Sequence, residues 1–144
     1  MIEFIHTTGG GAIVSKCAEL RFDENYVRIC DFKRYDPSAY HDVDFNLAVC
    51  SDGFGGVAPC ECCSDDLIRA ADELAEMYDF ARKEVLLQDR LYKSCVKFEL
   101  HRTGCVSVSG KIYSHHCDQS LEFIFEADQT VLESFTAQLR AQLN

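Results

Sequence analysis

The sequence contains no tryptophan, only two prolines and no apolar run as long as the roughly 18 to 20 residues that a membrane-spanning helix needs. Basic residues are also scarce. Fourteen lysines and arginines stand against 24 aspartates and glutamates, which gives a net charge of −10. A chain this acidic repels nucleic acid and anionic membrane surfaces and attracts basic proteins. We therefore expect neither a nucleic-acid ligand nor a membrane, and the charge favours a basic protein as partner.

The N-terminus lacks the basic stretch and the apolar core of a secretory signal peptide, and it carries an acid at Glu3. We therefore expect a cytoplasmic protein. The nine cysteines are an odd number and stand mostly singly. In a chain without an export signal, we expect most of them to be reduced, small, buried side chains rather than a disulfide framework.

The chain has 144 residues, of which 47% are apolar, and it shows no linker, repeat or low-complexity tract. A domain of this length buries roughly 70% of the surface that its unfolded chain exposes, so it can hold a hydrophobic core without disulfides or bound metal. We expect residues 1–144 to form a single α+β domain, in which a mostly antiparallel sheet packs with two main helices.

Alternation of apolar and polar residues predicts the strands. In the clearest one, residues 43–50, large apolar side chains alternate with polar or small ones. The segment 51–56 has turn chemistry, and residues 57–63 return as the partner strand of a hairpin. Pro59 cannot donate a ladder hydrogen bond, so this partner strand is expected at an edge or bulged. The other predicted strands are residues 17–22, 26–32, 95–102, 105–113 and 121–126.

Two helices complete the predicted fold. Ser64 is expected to cap the first, which runs to about Phe80. Its apolar arc consists of Leu67, Ile68, Ala71, Leu74, Ala75 and Tyr78, and the opposite side carries Asp65, Asp72, Glu76 and Asp79. Asp128 is expected to cap the second helix, whose shared apolar face is Val131, Leu132, Phe135, Leu139 and Leu143. Because strands precede each helix in runs, an antiparallel sheet carrying two helices is the economical architecture.

Cysteine and histidine clusters offer an alternative chemistry. The run Cys60-Glu61-Cys62-Cys63 precedes a helix start, where a thiol pKa can be lowered, but Asp65 and Asp66 oppose that effect. The same thiols and His115-His116-Cys117 could supply zinc ligands, with Cys60, Cys63, His115 and Cys117 as the set. Alternation along a strand, however, would send Cys60 and Cys62 to one face and Cys63 to the other. A small zinc-binding or thiol-redox protein is therefore the alternative.

No catalytic motif is present. His41 lies among Asp36, Asp42 and Asp44, but nothing supplies a nucleophile beside it, and there is no phosphate-binding or nucleophile-elbow pattern. We expect neither an enzyme nor a cofactor. Two surfaces instead favour a protein partner. One is the acidic stripe of Asp65, Asp72, Glu76 and Asp79 on the first helix. The other is the loop 35–42, where tyrosines interleave with acids and where the contact residues would be Tyr35, Asp36, Tyr40 and Asp42.

Four segments of the chain resemble the WapI-type immunity proteins, which are cytosolic antidotes to polymorphic or contact-dependent bacterial toxins. They are residues 43–49 with the Gly-Phe-Gly-Gly at 53–56, the helix 67–78, the run 106–110 and the closing run 121–132, which is the most specific. The resemblance spans about residues 17–143. It implies an antiparallel sheet with helices, no activity of the chain's own and a cognate toxin domain as partner. It gives no contact residues for this chain, since toxin-binding surfaces differ from one toxin–immunity pair to the next.

The sequence thus predicts a non-enzymatic, bacterial, cytoplasmic immunity protein. It would bind a cognate, basic toxin domain and neutralise it by occluding the toxin's active or substrate-binding surface. An adaptor for an unrelated basic protein remains a third possibility, next to the zinc-binding or thiol-redox alternative.

Overall fold

The structure, a computed structural model, describes residues 17–36 and 42–144. The strands are β1 Ala18–Phe22, β2 Asn25–Arg34, β3 Val43–Ser51, β4 Phe54–Cys62, β5 Glu84–Gln88, β6 Cys95–Leu100, β7 Cys105–Tyr113 and β8 Ser120–Asp128. The helices are α1 Ser64–Tyr78, which follows β4, and α2 Val131–Leu143, which follows β8. The strands form two antiparallel sheets, ordered β1-β2-β3-β4 and β5-β6-β7-β8. The predicted α+β class, with antiparallel strands and two helices, is confirmed.

The hairpin predicted between β3 and β4 is present, and its turn is shorter than expected. Ser51 pairs with Phe54, so the loop is Asp52-Gly53 alone, with φ angles of 55° and 82°. Positive φ at both central residues suits the twist of a two-residue hairpin, and glycine adopts it without strain. Pro59 lies on β4, which is an edge strand as predicted.

Strand β5 was not predicted from the sequence. It is short, and it alternates buried Val85 and Leu87 with three exposed residues. It pairs with β6 and forms the free edge of the second sheet. Five residues give too brief a pattern to separate a strand from a connecting loop on periodicity alone.

One hydrophobic core joins the inner faces of both sheets to the apolar sides of the helices. Within it, the rings of Phe98 on β6 and Phe135 on α2 lie 6.1 Å apart. Helix α2 also packs on α1 and on β1. No helix among the described residues is long and apolar enough to cross a membrane. The largest fully buried side chains are Phe98, Phe135, Leu20, Ile29, Leu67, Leu74, Met77, Leu132 and Leu139.

Helix α1 is rotated relative to the prediction. Its N-cap is Cys63 rather than Ser64, and Ile68, expected in the apolar arc, is 43% exposed. The buried side of the helix consists of Asp66, Leu67, Ala70, Ala71, Leu74 and Met77. The rotation brings Asp66 inward, which is possible because Arg90 pairs with its carboxylate. In the second helix Thr130 is the N-cap, and Asp128 accepts a hydrogen bond from the Thr130 N–H at 2.9 Å.

Seven of the nine cysteines are free, which confirms the expectation that most of them are reduced. Cys17 and Cys30 form one disulfide, with their Cα atoms 4.4 Å apart. The pairing of Ala18 with Ile29 in the β1–β2 hairpin brings these two cysteines opposite each other. Of the free cysteines only Cys60 and Cys62 are fully buried. The expected burial is therefore wrong for the others.

Candidate partner-binding surfaces

The acidic face of α1, defined as Asp65, Asp72, Glu76 and Asp79, is exposed along its whole length. Its first and last members are 14 positions apart, which corresponds to about 21 Å along a helix. The side that faces away from these acids is buried against α2 and β5. The structure therefore brings the four residues together on one surface, as the sequence predicts.

Arginines partly neutralise this acidic face. Arg140 of α2 lies 2.9 Å from Asp72, and Arg82, after α1, lies 2.8 Å from Glu76. Both pairs are well exposed, and exposed pairs of this kind contribute only about 0 to 1 kcal/mol. Asp65 and Asp79 have no ion pair with any residue in the ranges 17–36 and 42–144. A basic partner can compete with the two arginines for Asp72 and Glu76. It can bind Asp65 and Asp79 without displacing an arginine.

The loop 35–42 is described only at its ends. Tyr35 is exposed, and its hydroxyl donates a hydrogen bond to Asp44 at 2.7 Å. That hydrogen bond to a carboxylate raises the pKa of Tyr35. Asp36 is exposed as well, whereas Tyr40 lies outside the described residues. The exposed aromatic ring of Tyr35, which directly follows β2, is therefore available to a partner.

Asp42 differs from the expectation that it contacts a partner, because it is buried. Its carboxylate accepts hydrogen bonds from the Ser64 N–H at 2.7 Å and from the Ser64 hydroxyl at 2.8 Å. Burial opposes ionisation of Asp42, but these hydrogen bonds hold its pKa below the ordinary value. The residue fastens the start of β3 to the start of α1. Since Tyr35 N–H donates to the Asp42 carbonyl at 2.8 Å, this contact also brings Tyr35 to the end of α1 that carries Asp65.

Cys60 and Cys62 point inward from β4, while Cys63 caps α1. Burial, reinforced by the nearby carboxylate of Asp89, raises the pKa of the Cys60 thiol, and burial likewise raises that of Cys62 to about 12. Thiol-redox chemistry requires the thiolate. The burial of these two thiols therefore disfavours it.

In the other predicted zinc-ligand group, His115-His116-Cys117, the His115 ring contacts the aromatic ring of Tyr92. The His115 ring lies 5.6 Å from that of Tyr92 and 4.9 Å from that of His116, and the exposed Cys117 thiol lies 3.6 Å from the Tyr92 carbonyl. In the part of the chain that the structure describes, no three His, Cys, Asp or Glu side chains are grouped to hold a metal ion. The set Cys60, Cys63, His115 and Cys117 is thus not assembled.

A polar network on the outer face of the second sheet was not anticipated. The Ser107 hydroxyl lies 2.7 Å from His101 Nε2 and 2.8 Å from Glu126, and the Cys105 thiol donates to Glu126 at 2.6 Å. These hydrogen bonds, first that of Cys105, lower the pKa of Glu126. In a catalytic triad the carboxylate orients the histidine. Here it binds the serine and the thiol directly, so the network ties β7 to β8 and differs in order from a catalytic triad.

A groove of about 900 Å³ lies between this outer face and the tip of the β3–β4 hairpin. Its exposed apolar members are Phe54, Leu86 and Ile124, of which Phe54 is 70% and Ile124 63% exposed. The sequence pattern places Phe54 in the turn segment 51–56 and Ile124 in the strand 121–126, and it indicates no binding role for either residue. One signal was present, because Ile124 occupies an outward position of β8 between Glu122 and Glu126. A single exposed isoleucine is ordinary on a protein surface, and it becomes informative only because it groups with Phe54 and Leu86 in one groove.

The model of a family described as the immunity protein WapI-like family matches residues 19–144, which is most of the chain. Among solved structures, one described as crystal structures of Trypanosoma bruciei MRP1/MRP2 is similar at 12% identity, with a TM-score of 0.49. The similarity covers 88% of this chain and 81% of that chain, and it is too weak to bear on function. No curated protein matches the sequence.

Proposed function

The chain belongs to the WapI-like family of immunity proteins, and on that premise we propose that it neutralises a cognate toxin domain by covering the toxin's active or substrate-binding surface. The family match carries this proposal, since it runs from β1 to the end of α2. Membership of an immunity family implies a toxin protein as the binding partner. The occlusion of a functional surface on that toxin is the step that we add.

Charge supports a basic toxin. The chain carries a net charge of −10, and the acidic face of α1 concentrates four of its carboxylates on one exposed surface. Opposed charges accelerate encounter between proteins and suppress wrong partners more than they add affinity. In this proposal the acidic face of α1 attracts the toxin electrostatically. The ring of Tyr35, near the end of α1 that carries Asp65, contributes a direct contact. Asp42 has no part in it, because its carboxylate is engaged with Ser64.

Neutralisation by binding needs no chemistry from this chain. The arrangement of His101, Ser107 and Glu126 lacks the order of a catalytic triad, and the buried thiols of Cys60 and Cys62 are held protonated. No observation favours the zinc-binding or thiol-redox alternative over toxin binding. A steric mechanism, in which the toxin's own surface is covered, is therefore the simpler proposal.

Co-expression tests the proposal. The toxin domain encoded beside the gene for this chain should arrest bacterial growth when expressed alone, and co-expression of this chain should restore growth. A catalytically inactive toxin domain serves as the control for expression burden and as the reagent for isolating the complex. Persistent growth arrest and failure to isolate a complex, with this chain soluble and folded, would contradict the proposal.

A further inference from the structure

A row of side chains runs straight across the outer face of the β5–β8 sheet. In the strand register Leu86 pairs with Lys97, Lys97 with Ser109, and Ser109 with Ile124. The residues that flank Leu86 and Ile124 along their own strands are buried, so the row points away from the core. Phe54 lies at one end of the row, on the hairpin tip, where the Ser51 hydroxyl donates to the Ile124 carbonyl at 2.6 Å.

Both helices lie on the other side of this sheet or at its edge. Phe135 of α2 packs against Phe98, which points inward from β6, and α1 contacts β5. Within residues 17–36 and 42–144, no helix covers the row, and Ile124 and Phe54 remain largely exposed. The apolar ends of the row form the walls of the groove described above.

The face around the row is acidic. Five carboxylates share it with two ammonium groups, which gives it a net charge of −3. The acids are Glu84, Glu99, Glu122, Glu126 and Asp128, and the bases are Lys97 and Lys111. The ammonium group of Lys97 lies 3.1 Å from Glu84 and 4.0 Å from Glu99, so its charge is held within the acidic flank. The lining of the groove is itself balanced in charge, with Asp52 and Glu122 against Lys97 and Lys111, and the acidic rim consists of the other carboxylates of the face.

This face adjoins the acidic face of α1. Arg82 pairs with Glu76 on α1, and two residues later Glu84 pairs with Lys97 on the sheet. A protein drawn to the acidic face of α1 is thereby brought to the edge of the groove. The two surfaces offer complementary contributions, long-range attraction from the helix and apolar contact from the groove.

The charge of the face decides which occupant it fits. A second copy of this chain, related by a two-fold axis, would set the same five carboxylates against each other. An anionic membrane surface would be repelled as well. A basic protein segment that carries apolar side chains fits both the apolar walls of the groove and the acidic rim around it.

We infer that the groove formed by Phe54, Leu86 and Ile124 is the site that anchors the toxin, and that it takes a toxin segment in which apolar side chains are flanked by lysine or arginine. This inference rests on the proposed function and assigns that function a surface. Apolar contacts made with a partner in this groove would exclude water, and such contacts are where binding energy concentrates in protein interfaces. The carboxylates around the groove fix the orientation of the lysine or arginine side chains of the toxin segment.

Two substitutions and a matched control test the inference. Ile124→Ser and Phe54→Ser remove apolar groups from the groove. Val57→Ser makes the same kind of change at a residue that is 66% exposed on the same strand as Phe54 but does not line the groove. Binding of each purified chain to the catalytically inactive toxin domain is measured by surface-binding kinetics. We expect each groove variant to raise the dissociation constant by about tenfold or more, mainly through faster dissociation, and Val57→Ser to change it by less than about twofold. Melting temperatures of the free chains confirm that all three variants fold.

The outcomes separate this inference from the proposed function. If the wild-type chain binds and both groove variants bind equally well, the groove is not the anchor, although the toxin-binding function stands. If the wild-type chain does not bind the toxin domain, both the proposed function and this inference are wrong. If sedimentation shows a wild-type dimer that Ile124→Ser dissociates, the face belongs to a second copy, and the inference is overturned.

Discussion

Arg90 binds Asp66 through two parallel hydrogen bonds, from Nε to Oδ2 at 2.6 Å and from Nη2 to Oδ1 at 2.8 Å. Asp66 is buried in the first turn of α1 and also accepts a hydrogen bond from the Cys63 N–H at 3.1 Å. The Arg90 N–H in turn donates to the Glu61 carbonyl at 2.8 Å. One arginine therefore joins the end of β4, the start of α1 and the segment that follows β5.

We expect Asp66→Asn to lower the free energy of unfolding by about 1 to 3 kcal/mol, because the charge-assisted pair is lost at a buried position. Asp65→Asn is the matched control, since Asp65 is the exposed neighbour of Asp66 in the same helical turn. That control should change the free energy by no more than about 0.5 kcal/mol. Urea denaturation measures both. Equal effects at the two positions would show that the pair with Arg90 does not stabilise the fold.

The same carboxylate makes stability depend on pH in a defined direction. Hydrogen bonds from Arg90 hold the pKa of Asp66 below its ordinary value despite burial. A group whose pKa is lowered by folding stabilises the fold above its unfolded pKa and loses that contribution as the pH falls through its folded pKa. The difference in unfolding free energy between wild type and Asp66→Asn should stay constant from about pH 7 to 5 and shrink below about pH 4. A difference that grows on acidification would contradict this assignment.

Thiol labelling should follow burial. Unfolded, unreduced protein should titrate seven thiols and reduced protein nine, because Cys17 and Cys30 are bonded to each other. In the native state the exposed Cys117 should react first, while Cys60 and Cys62 should react slowly, because burial raises their pKa. Cys117→Ser should abolish the fast phase. Labelling of Cys60 as rapid as that of Cys117 would show that β4 opens readily.

The acidic face of α1 should control the rate of association with the toxin domain. The double variant Asp72→Asn, Glu76→Gln removes two carboxylates, so that Arg140 loses its partner Asp72 and Arg82 keeps Glu73, 3.8 Å away. We therefore expect association at low salt to slow by about tenfold. Dissociation should change less. Asp23→Asn with Glu24→Gln removes the same charge from the β1–β2 turn and serves as the control. If both double variants slow association equally, net charge alone steers the toxin.

Much of the fold could be predicted from the sequence because its patterns are local. The alternation in residues 43–50, the Asp52-Gly53 turn and the acidic stripe of α1 each depend on neighbours along the chain. The rotation of α1 could not be predicted in this way. It depends on Arg90, which is 24 residues from Asp66 in sequence and satisfies the buried carboxylate.

The candidate site shows the same limit. The exposed acids of α1 follow from helical periodicity, whereas the role of Asp42 depends on Ser64, a residue in another element. The groove combines Phe54 from the first sheet with Leu86 and Ile124 from the second, and no sequence window contains all three. Surfaces that lie on one element are therefore predictable, and surfaces that several elements build are not.

Binding and inhibition measured on the same mixtures test the central claim most directly. The active toxin domain is titrated with this chain, and the bound fraction and the residual toxin activity are recorded at each step. If the chain neutralises the toxin by covering its functional surface, activity should fall in proportion to the bound fraction and vanish at saturation. A saturated complex that keeps full toxin activity, or a loss of activity without a complex, would contradict the account.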